Sequence, residues 1–513
     1  MNKEQRLIEL GQRFTIGFPS TELDRETLEV IRRFKIGNII LFKNNVQSRS
    51  QLKELCSSLK ELILEETGIA PFIMIDQEGG MVTRLSDDFV NIPGAMAIRA
   101  TGNSRNARFC GQVTAKELSS VGVNFDLAPV LDINSNPNNP VVGVRSYGED
   151  SLAVSEFGIE MMRGLADFGL MTCGKHFPGH GDTSVDSHMG LPVVNKTLSQ
   201  LEKLELCSFE NAIKAGIPAI MTTHILFPNI DDSGLPATMN RKILVDILRG
   251  KLKFEGIVLT DCMEMGAIAK NFGTVPAIQV ALKNGVDIAC VSHHGVLAGE
   301  AAQAIMDSDS ILDDEMELSF RRILSAKSKC FSSQKLSEGA SEEDRAEVDR
   351  IGRSSITICN TKPVLGQNPL FVGCYPFVVT LASNPENNRI SFADYMASRF
   401  HGASLVTSTN PDEAEIANVV NKAAGYSSIV MGTYNGHVYH GQIKLGLELL
   451  KLGVPMTVAA LRNPYDLSAF PDSVNKIAAY EYTQQGLSWV ASCLSAAEVP
   501  ASRQYFTLEV KNA

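Results

Sequence analysis

The chain has 513 residues, a hydrophobic fraction of 44%, a charged fraction of 20% and a formal net charge of -11. This length exceeds what one ordinary core accommodates, so we expect two domains, one of them large enough for a barrel. The composition excludes a disordered chain. The negative charge argues against a nucleic-acid partner, whose binding surface would be basic.

The chain also lacks the sequence features of a membrane or secreted protein. No run approaches the roughly 18 apolar residues that cross a bilayer, and the first residues lack the apolar stretch of a secretory signal. Ten cysteines are scattered singly without a CxxC pair, so a structural zinc site or a thioredoxin-like centre has no support. We therefore expect a cytoplasmic protein with no membrane partner.

Eight short apolar runs alternate with amphipathic helical stretches between about residues 10 and 330. The runs are RFTIGF, IGNIILF, APFIMID, VNFDLAP, LMTCGKHF, IPAIMTT, EGIVLTD and VDIACVS. Continuous apolar strands that alternate with helices indicate a parallel sheet covered on both faces. Eight such units fit a TIM-like (β/α)8 barrel, which we place at residues 1–335.

A second α/β pattern follows the barrel. Residues 336–352 are charged and poor in large apolar side chains, which predicts a linker or the first helix of a second unit. The strand-like runs then restart with SSITICN, FVVTLAS, ASLVTST, SSIVMGTYN and VPMTVAALRN. We predict a smaller C-terminal α/β sandwich domain at residues 353–513.

Polar side chains gather directly after the predicted barrel strands. They are Asp76, Asn134, Lys175, His176, His224 and Asp261. In a barrel, the groups at the carboxyl ends of the strands line the mouth of the active site. This placement alone makes them candidates for function.

The densest segment is GKHFPGHGDTSVDSHMGL, residues 174–191. His176 and His180 are four residues apart, but Pro178 intervenes and no third ligand follows at conventional spacing, so a zinc hydrolase is a weak hypothesis. Asp186 and His188 are two residues apart, and the carboxylate can orient the imidazole for acid/base chemistry near neutral pH. Such a pair can also simply stabilise a turn, so both interpretations stay open.

The other candidates likewise have two interpretations. Asp261 is either a nucleophile or electrostatic stabiliser at the barrel mouth, or the N-cap of a following helix with Glu264 as its capping-box partner. Asp76 can accept hydrogen bonds from two vicinal hydroxyls. Arg145 either donates to a sugar hydroxyl or forms a surface salt bridge.

Together these segments resemble glycoside hydrolase family 3, in particular its β-N-acetylglucosaminidase branch. The segments that carry the resemblance are IDQEGGMVTRL (75–85), APVLDINSNPNNPVVGVRSYGED (128–150), GKHFPGHGDTSVDSHMGLP (174–192) and LTDCMEM (259–265). They stay in family order and cover most of the predicted barrel. The second domain resembles, more loosely, the C-terminal α/β sandwich of two-domain members.

The resemblance implies a retaining exo-β-N-acetylglucosaminidase that acts on cell-wall fragments, in peptidoglycan recycling, or on related β-glycosides. It implies Asp261 as the nucleophile, His188 as the acid/base and Asp186 as the partner of His188. The implied sugar-binding residues are Asp76, Arg145, Lys175 and His176. The implied ligand is a small saccharide with terminal β-linked N-acetylglucosamine, and no cofactor or metal is expected.

Three further functions remain open from the sequence. Because a neutral histidine repels an anion less than a carboxylate does, phosphate could replace water as the acceptor, which would make the enzyme a phosphorylase. A dual β-glucosidase and N-acetylglucosaminidase activity is a second alternative. A catalytically silent sugar-binding protein is a third, although the combination of Asp261, Asp186 and His188 argues against it.

Overall fold

The protein combines a closed eight-stranded parallel barrel with a separate six-stranded sheet, as seen in a computed structural model. This confirms the predicted fold class. The structure describes residues 2–183, 190–308, 313–335, 337–377, 391–495 and 502–508.

The eight barrel strands fall on the eight predicted apolar runs, and only the seventh extends beyond its run, by the single residue Cys262. The strands are β1 (Phe14–Ile16), β2 (Asn38–Leu41), β3 (Phe72–Ile75), β4 (Phe125–Asp126), β5 (Met171–Phe177), β6 (Ala219–Thr222), β7 (Ile257–Cys262) and β8 (Ile288–Val291). All neighbours are parallel, and β8 pairs with β1 to close the barrel. Because the strands are buried on both faces, their sequences are unbroken apolar runs and do not alternate between apolar and polar residues.

Helices surround this barrel. They are α1 (Lys3–Gly11), α2 (Arg25–Phe34), α3 (Arg49–Thr67), α4 (Ala95–Ala100), α5 (Ser104–Ser120), α6 (Ser151–Ala166), α7 (Leu198–Lys203), α8 (Glu205–Lys214), a π-helix (Lys242–Lys251), α9 (Gly266–Ala269), α10 (Thr274–Lys283), α11 (Gly295–Ser308) and α12 (Asp313–Ser333). The side chain of Ser48 caps α3, and Gly68 ends it with a left-handed φ of 72° that glycine adopts without strain. Leu204, whose backbone is not helical, separates α7 from α8.

The second sheet belongs to the C-terminal part of the chain. Its strands are β9 (Thr357–Ile358), β10 (Pro369–Cys374), β11 (Ala403–Thr407), β12 (Ser428–Thr433), β13 (Met456–Ala460) and β14 (Asn475–Ala478), in the order β11-β10-β12-β13-β14-β9. All pairs are parallel except β14 with β9. Its helices are α13 (Glu342–Ser355), α14 (Phe392–Phe400), α15 (Glu413–Ala423), α16 (His440–Leu450) and α17 (Gln484–Ser495).

The strand predictions for this second unit were incomplete. Two strands, β10 and β14, have no counterpart among the predicted runs, whereas most of the predicted strand FVVTLAS lies outside the described residues. Helix α13 starts within the segment 336–352, where Ser341 and Asp344 form a capping box. The domain boundaries at 335 and 353 stay predictions.

The two units meet through loops that follow their parallel strands. The Tyr465 hydroxyl, after β13, accepts from Asn134 Nδ2 (2.9 Å) and donates to Glu149 Oε1 (2.7 Å), both after β4. Glu481, after β14, accepts from the backbone N–H of Gly94, after β3 (3.1 Å). The carboxyl ends of the two sheets therefore face each other. None of the described helices is both long and apolar enough to cross a membrane.

Candidate active site

A cavity of about 230 Å³ opens at the carboxyl ends of the barrel strands. Its apolar floor includes Ile40, Leu127 and Met221. Its polar wall is formed by residues that follow or end five of the strands, β3, β4, β5, β7 and β8: Asp76, Glu78, Arg84, Arg145, Lys175, His176, His180, Asp261, Cys262, Glu264, Ser292 and His293. This combination of apolar floor and convergent polar groups is typical of a small-ligand site.

Five charged side chains form a continuous network along one wall of the cavity. Lys175 Nζ donates to Asp76 Oδ1 (2.7 Å) and lies 2.6 Å from Glu78 Oε1. Arg145 binds Glu78 through two parallel hydrogen bonds, Nε to Oε2 (2.8 Å) and Nη2 to Oε1 (2.7 Å). Arg84 approaches the second oxygen of Asp76 at 3.8 Å. Two carboxylates thus lie among three cations.

The network keeps its members charged although they are buried. Burial by itself would raise the pKa of the Glu78 carboxyl, but Arg145 and Lys175 hold that pKa well below its usual range. Burial would likewise lower the pKa of Lys175, but Asp76 and Glu78 raise it above its usual value. Lys175 is only 1% exposed, whereas Asp76 is 17% exposed. Asp76 is therefore the carboxylate that the network presents to the cavity.

A second cluster lies around Asp132, which follows β4. Its Oδ2 is 2.6 Å from His176 Nδ1, and its Oδ1 accepts from the backbone N–H groups of His176 (3.1 Å) and His180 (2.7 Å). Burial opposes the charge of Asp132, but His176 and His180 lower its pKa. A carboxylate on Nδ1 fixes the ring orientation of His176 and its tautomer.

Asp261 is the second-to-last residue of strand β7, and it lines the cavity. The following helix α9 starts at Gly266 with Met265 as its N-cap, so the alternative that Asp261 caps a helix is wrong. Glu264 instead accepts from the backbone N–H groups of His293 (2.7 Å) and His294 (3.1 Å) beyond β8, so it is not a capping-box partner either. Asp261 Oδ1 accepts from the N–H of Cys262 (2.7 Å).

The structure brings together five of the seven residues singled out from the sequence. Asp76, Arg145, Lys175, His176 and Asp261 line one cavity. Asp186 and His188 lie in the segment 184–189, outside the described residues, so their placement stays a prediction. Over the described part of the chain, no group of three His, Cys, Asp or Glu side chains could hold a metal ion.

Four site residues were missed or undervalued by sequence reasoning. His180 was considered only as a possible metal ligand, and Glu78, Asp132 and Arg84 were not singled out. Asp132 carried a usable signal, since it follows the apolar run of β4 just as Asp261 ends that of β7. Arg84 carried no such signal in the sequence, because its approach to Asp76 depends on the path of the loop formed by residues 77–84.

Comparison with known proteins gives consistent matches. Residues 4–326 match the family model described as the glycosyl hydrolase family 3 N-terminal domain. The β-hexosaminidase A of Pseudoalteromonas piscicida is 39% identical over 285 residues, which is 52% of this chain and 48% of that protein. The chain thus spans about half the length of that relative.

Two solved structures are also similar. A glycoside hydrolase family 3 β-N-acetylglucosaminidase from Paenibacillus sp. str. FPU-7 is 32% identical, with a TM-score of 0.91 and all of both chains covered. NagZ from Neisseria gonorrhoeae, in complex with N-trifluoroacetyl-D-glucosamine, is 28% identical with a TM-score of 0.56, and the match covers 66% of this chain and 97% of that one. The first of these extends the similarity over the second unit as well as the barrel.

Buried His180 should make the stability of the protein depend on pH. Burial, reinforced by the charge of His176, lowers the pKa of His180 to about 4, whereas the unfolded chain takes up this proton near pH 6.5, at about the ordinary histidine value. The unfolded state thus binds more protons between these values, and stability falls as the pH falls through this window. The protonation of His180 should account for a decrease in the free energy of unfolding on the order of 3 kcal/mol, and this decrease should be absent in His180→Gln.

The measurement is the free energy of unfolding by denaturant at several pH values between 7 and 4. The exposed His440 provides the matched control, since His440→Gln should retain the pH dependence of the wild type. Parallel curves for wild type and His180→Gln would contradict the assignment of the pH dependence to His180.

Proposed function

Because the chain belongs to glycosyl hydrolase family 3 and is a glycoside hydrolase, we propose that it removes terminal N-acetylglucosamine from β-glycosides with retention of configuration. The observation that carries this proposal is the position of Asp261, which lies one residue before the end of β7 and lines the same cavity as Asp76 and Lys175. The β-hexosaminidases and the β-N-acetylglucosaminidase to which the chain is similar support the choice of sugar.

Asp261 is the proposed nucleophile. Its carboxylate oxygen attacks the anomeric carbon, and the bond from this carbon to the leaving oxygen breaks. His188, as imidazolium, gives its proton to the leaving oxygen, while Asp186 orients the imidazole ring. The roles of His188 and Asp186 rest on their match to the family motif alone.

The second step releases the sugar from the enzyme. Neutral His188 takes a proton from a water molecule, which attacks the anomeric carbon and displaces the Asp261 carboxylate. The product keeps the β configuration because two inversions occur at the same carbon. A histidine suits this exchange near neutral pH with little adjustment of its pKa.

The buried charged network is the proposed holder of the sugar. The partly exposed carboxylate of Asp76 accepts from sugar hydroxyl groups, and Arg145 and Lys175 donate to ring or hydroxyl oxygens. His176, whose Nδ1 is held by Asp132, presents its Nε2 to a sugar hydroxyl group. Because Glu78 already ties Lys175 to Arg145, these donors are in place before the sugar binds. Such preorganisation lowers the cost of ordering the site when substrate enters.

We further propose a role on cell-wall fragments, in peptidoglycan recycling, within the cytoplasm. All ten cysteines, each within the described residues, are free thiols. Unpaired thiols in this number support a reducing compartment.

Replacing the proposed nucleophile should abolish turnover but leave the fold intact. Asp261→Asn keeps the size of the side chain but lacks its nucleophilic charge, so kcat/KM on an aryl β-N-acetylglucosaminide should fall by roughly 10⁴-fold. Asp246→Asn, which changes an exposed carboxylate on the π-helix, should leave both kcat/KM and the melting temperature unchanged. A near-normal rate for Asp261→Asn in a folded protein would rule out this nucleophile.

The acceptor can be identified from the product. We expect free N-acetylglucosamine from a defined disaccharide both with and without millimolar phosphate, since water is the proposed acceptor. Chromatography of the products against authentic standards is the measurement. If sugar 1-phosphate dominates when phosphate is present, the enzyme is a phosphorylase instead.

The sugar preference is measured by a matched substrate pair. We expect kcat/KM on an aryl β-N-acetylglucosaminide to exceed that on the corresponding β-glucoside by at least about tenfold, a difference of about 1.4 kcal/mol in transition-state binding. Equal values would assign the enzyme a dual activity.

A further inference from the structure

Arg462, which follows β13 in the second unit, is a buried cation that has no hydrogen-bond or ion-pair partner among the described residues. It is 4% exposed, and its Nε is enclosed without a hydrogen-bond acceptor. Its guanidinium forms no hydrogen bond or ion pair with any residue in the described part of the chain. Arg145, equally buried, binds Glu78 through two hydrogen bonds. The contrast singles out Arg462, since a buried charge without compensation is costly.

Asp466, the acidic side chain whose charge acts on Arg462, is engaged by other groups. Asp466 accepts from the backbone N–H groups of Gly436 (2.8 Å) and His437 (2.9 Å), and its Oδ1 is 2.8 Å from His437 Nδ1. Both carboxylate oxygens are thus engaged by the loop that follows β12. The positive charge of Arg462 remains available to a ligand.

Arg462 lies at the carboxyl edge of the second sheet, after β13, which is two strands away from β10. From β10 the chain proceeds to β11 on one side and then to β12 on the other, so the direction of winding reverses beside β10. Ligands bind at the carboxyl edge of such a sheet, near this reversal. Two more buried polar atoms lack partners at this edge, Asn435 Oδ1 after β12 and Asn463 Oδ1 after β13.

This edge of the second sheet borders the catalytic cavity. The side-chain nitrogen of Asn463 lies 3.8 Å from where a Cβ on Gly143 would be. Gly143 is two residues before Arg145, which lines the cavity together with Val141. Burial lowers the pKa of Arg462, and repulsion by Arg145 contributes to the decrease, so the two cations are within electrostatic range.

We propose that Arg462 binds an oxyanion in a subsite between the two units, next to the sugar held in the barrel. Because a guanidinium presents parallel donors that match carboxylate and phosphate oxygens, an oxyanion is the ligand that fits it best. Asn435 and Asn463 accept from hydroxyl groups of the same ligand. The oxyanion comes either from a carboxylate on the leaving sugar or from free phosphate, and this inference rests on the proposed glycosidase function.

The test compares two disaccharides that differ only in the leaving sugar. In one, β-1,4-linked N-acetylglucosamine is attached to N-acetylglucosamine; in the other, the second sugar carries a carboxylate-bearing ether at its 3-position. Arg462→Gln should lower kcat/KM on the acidic disaccharide by about 10- to 100-fold, the cost of losing a charged hydrogen-bond donor. On the neutral disaccharide, kcat/KM should change by less than about twofold, well within 1 kcal/mol.

Two further variants separate binding from structural damage. Arg462→Lys keeps the charge and should restore part of the preference for the acidic disaccharide. Lys451→Gln removes an exposed positive charge from the same unit and should leave both substrates unaffected. Equal losses on both disaccharides, or no loss on either, would overturn the carboxylate source.

Phosphate is tested as the alternative source with the neutral disaccharide. If phosphate is the ligand, millimolar phosphate should yield sugar 1-phosphate with the wild type, and this product should be lost in Arg462→Gln. The oxyanion subsite is refuted if Arg462→Gln changes neither the ratio of kcat/KM between the acidic and the neutral disaccharide nor the yield of sugar 1-phosphate in the presence of phosphate. Failure of the proposed function would differ from both, because the wild type would then cleave neither disaccharide.

Discussion

The site depends on one buried interaction, the ion network that joins Asp76, Lys175, Glu78 and Arg145. These residues come from loops after β3, β4 and from β5 itself, so the network connects three separate parts of the barrel mouth. A buried charge is tolerated only when it is paired and hydrogen bonded. Removal of any one member would leave another charge uncompensated, so the network fixes the shape of the cavity wall as a unit.

The network also explains which carboxylate faces the substrate. Glu78 is fully engaged, because Arg145 occupies both of its oxygens and Lys175 shares one of them. Asp76 receives a single short hydrogen bond, from Lys175, and stays partly exposed. Although Asp76 and Glu78 are only two residues apart, Glu78 therefore stabilises the cavity wall, whereas Asp76 is presented to the cavity.

The sequence predicted the barrel and five of the site residues because both leave local signals. A parallel strand buried on both faces is an apolar run, and the group at its carboxyl end is marked by its position, as with Asp261 after EGIVLT. The position of Asp132 after the β4 run was visible in the sequence, but its partners were not, since His176 and His180 lie more than forty positions further along the chain. Such contacts depend on how two loops meet in space.

Predictions for the second unit were less complete for a related reason. Strand β14 is four residues long and contains a lysine, and β10 begins with Pro369 and includes a glycine, so neither resembles a typical strand in the sequence. Their place in the sheet is set by pairing with β13 and β12. Tertiary pairing here overrides weak local preference.

The second unit affects the barrel site through the segment that carries Arg145. Tyr465 contacts Asn134 near the start of this segment and Glu149 near its end. One side chain of the second unit thus holds together the two ends of the loop between β4 and α6. Because Arg145 must reach Glu78 from within this loop, its position depends on the contact between the units as well as on the barrel. The second unit therefore contributes to the geometry of a cavity that it does not itself line.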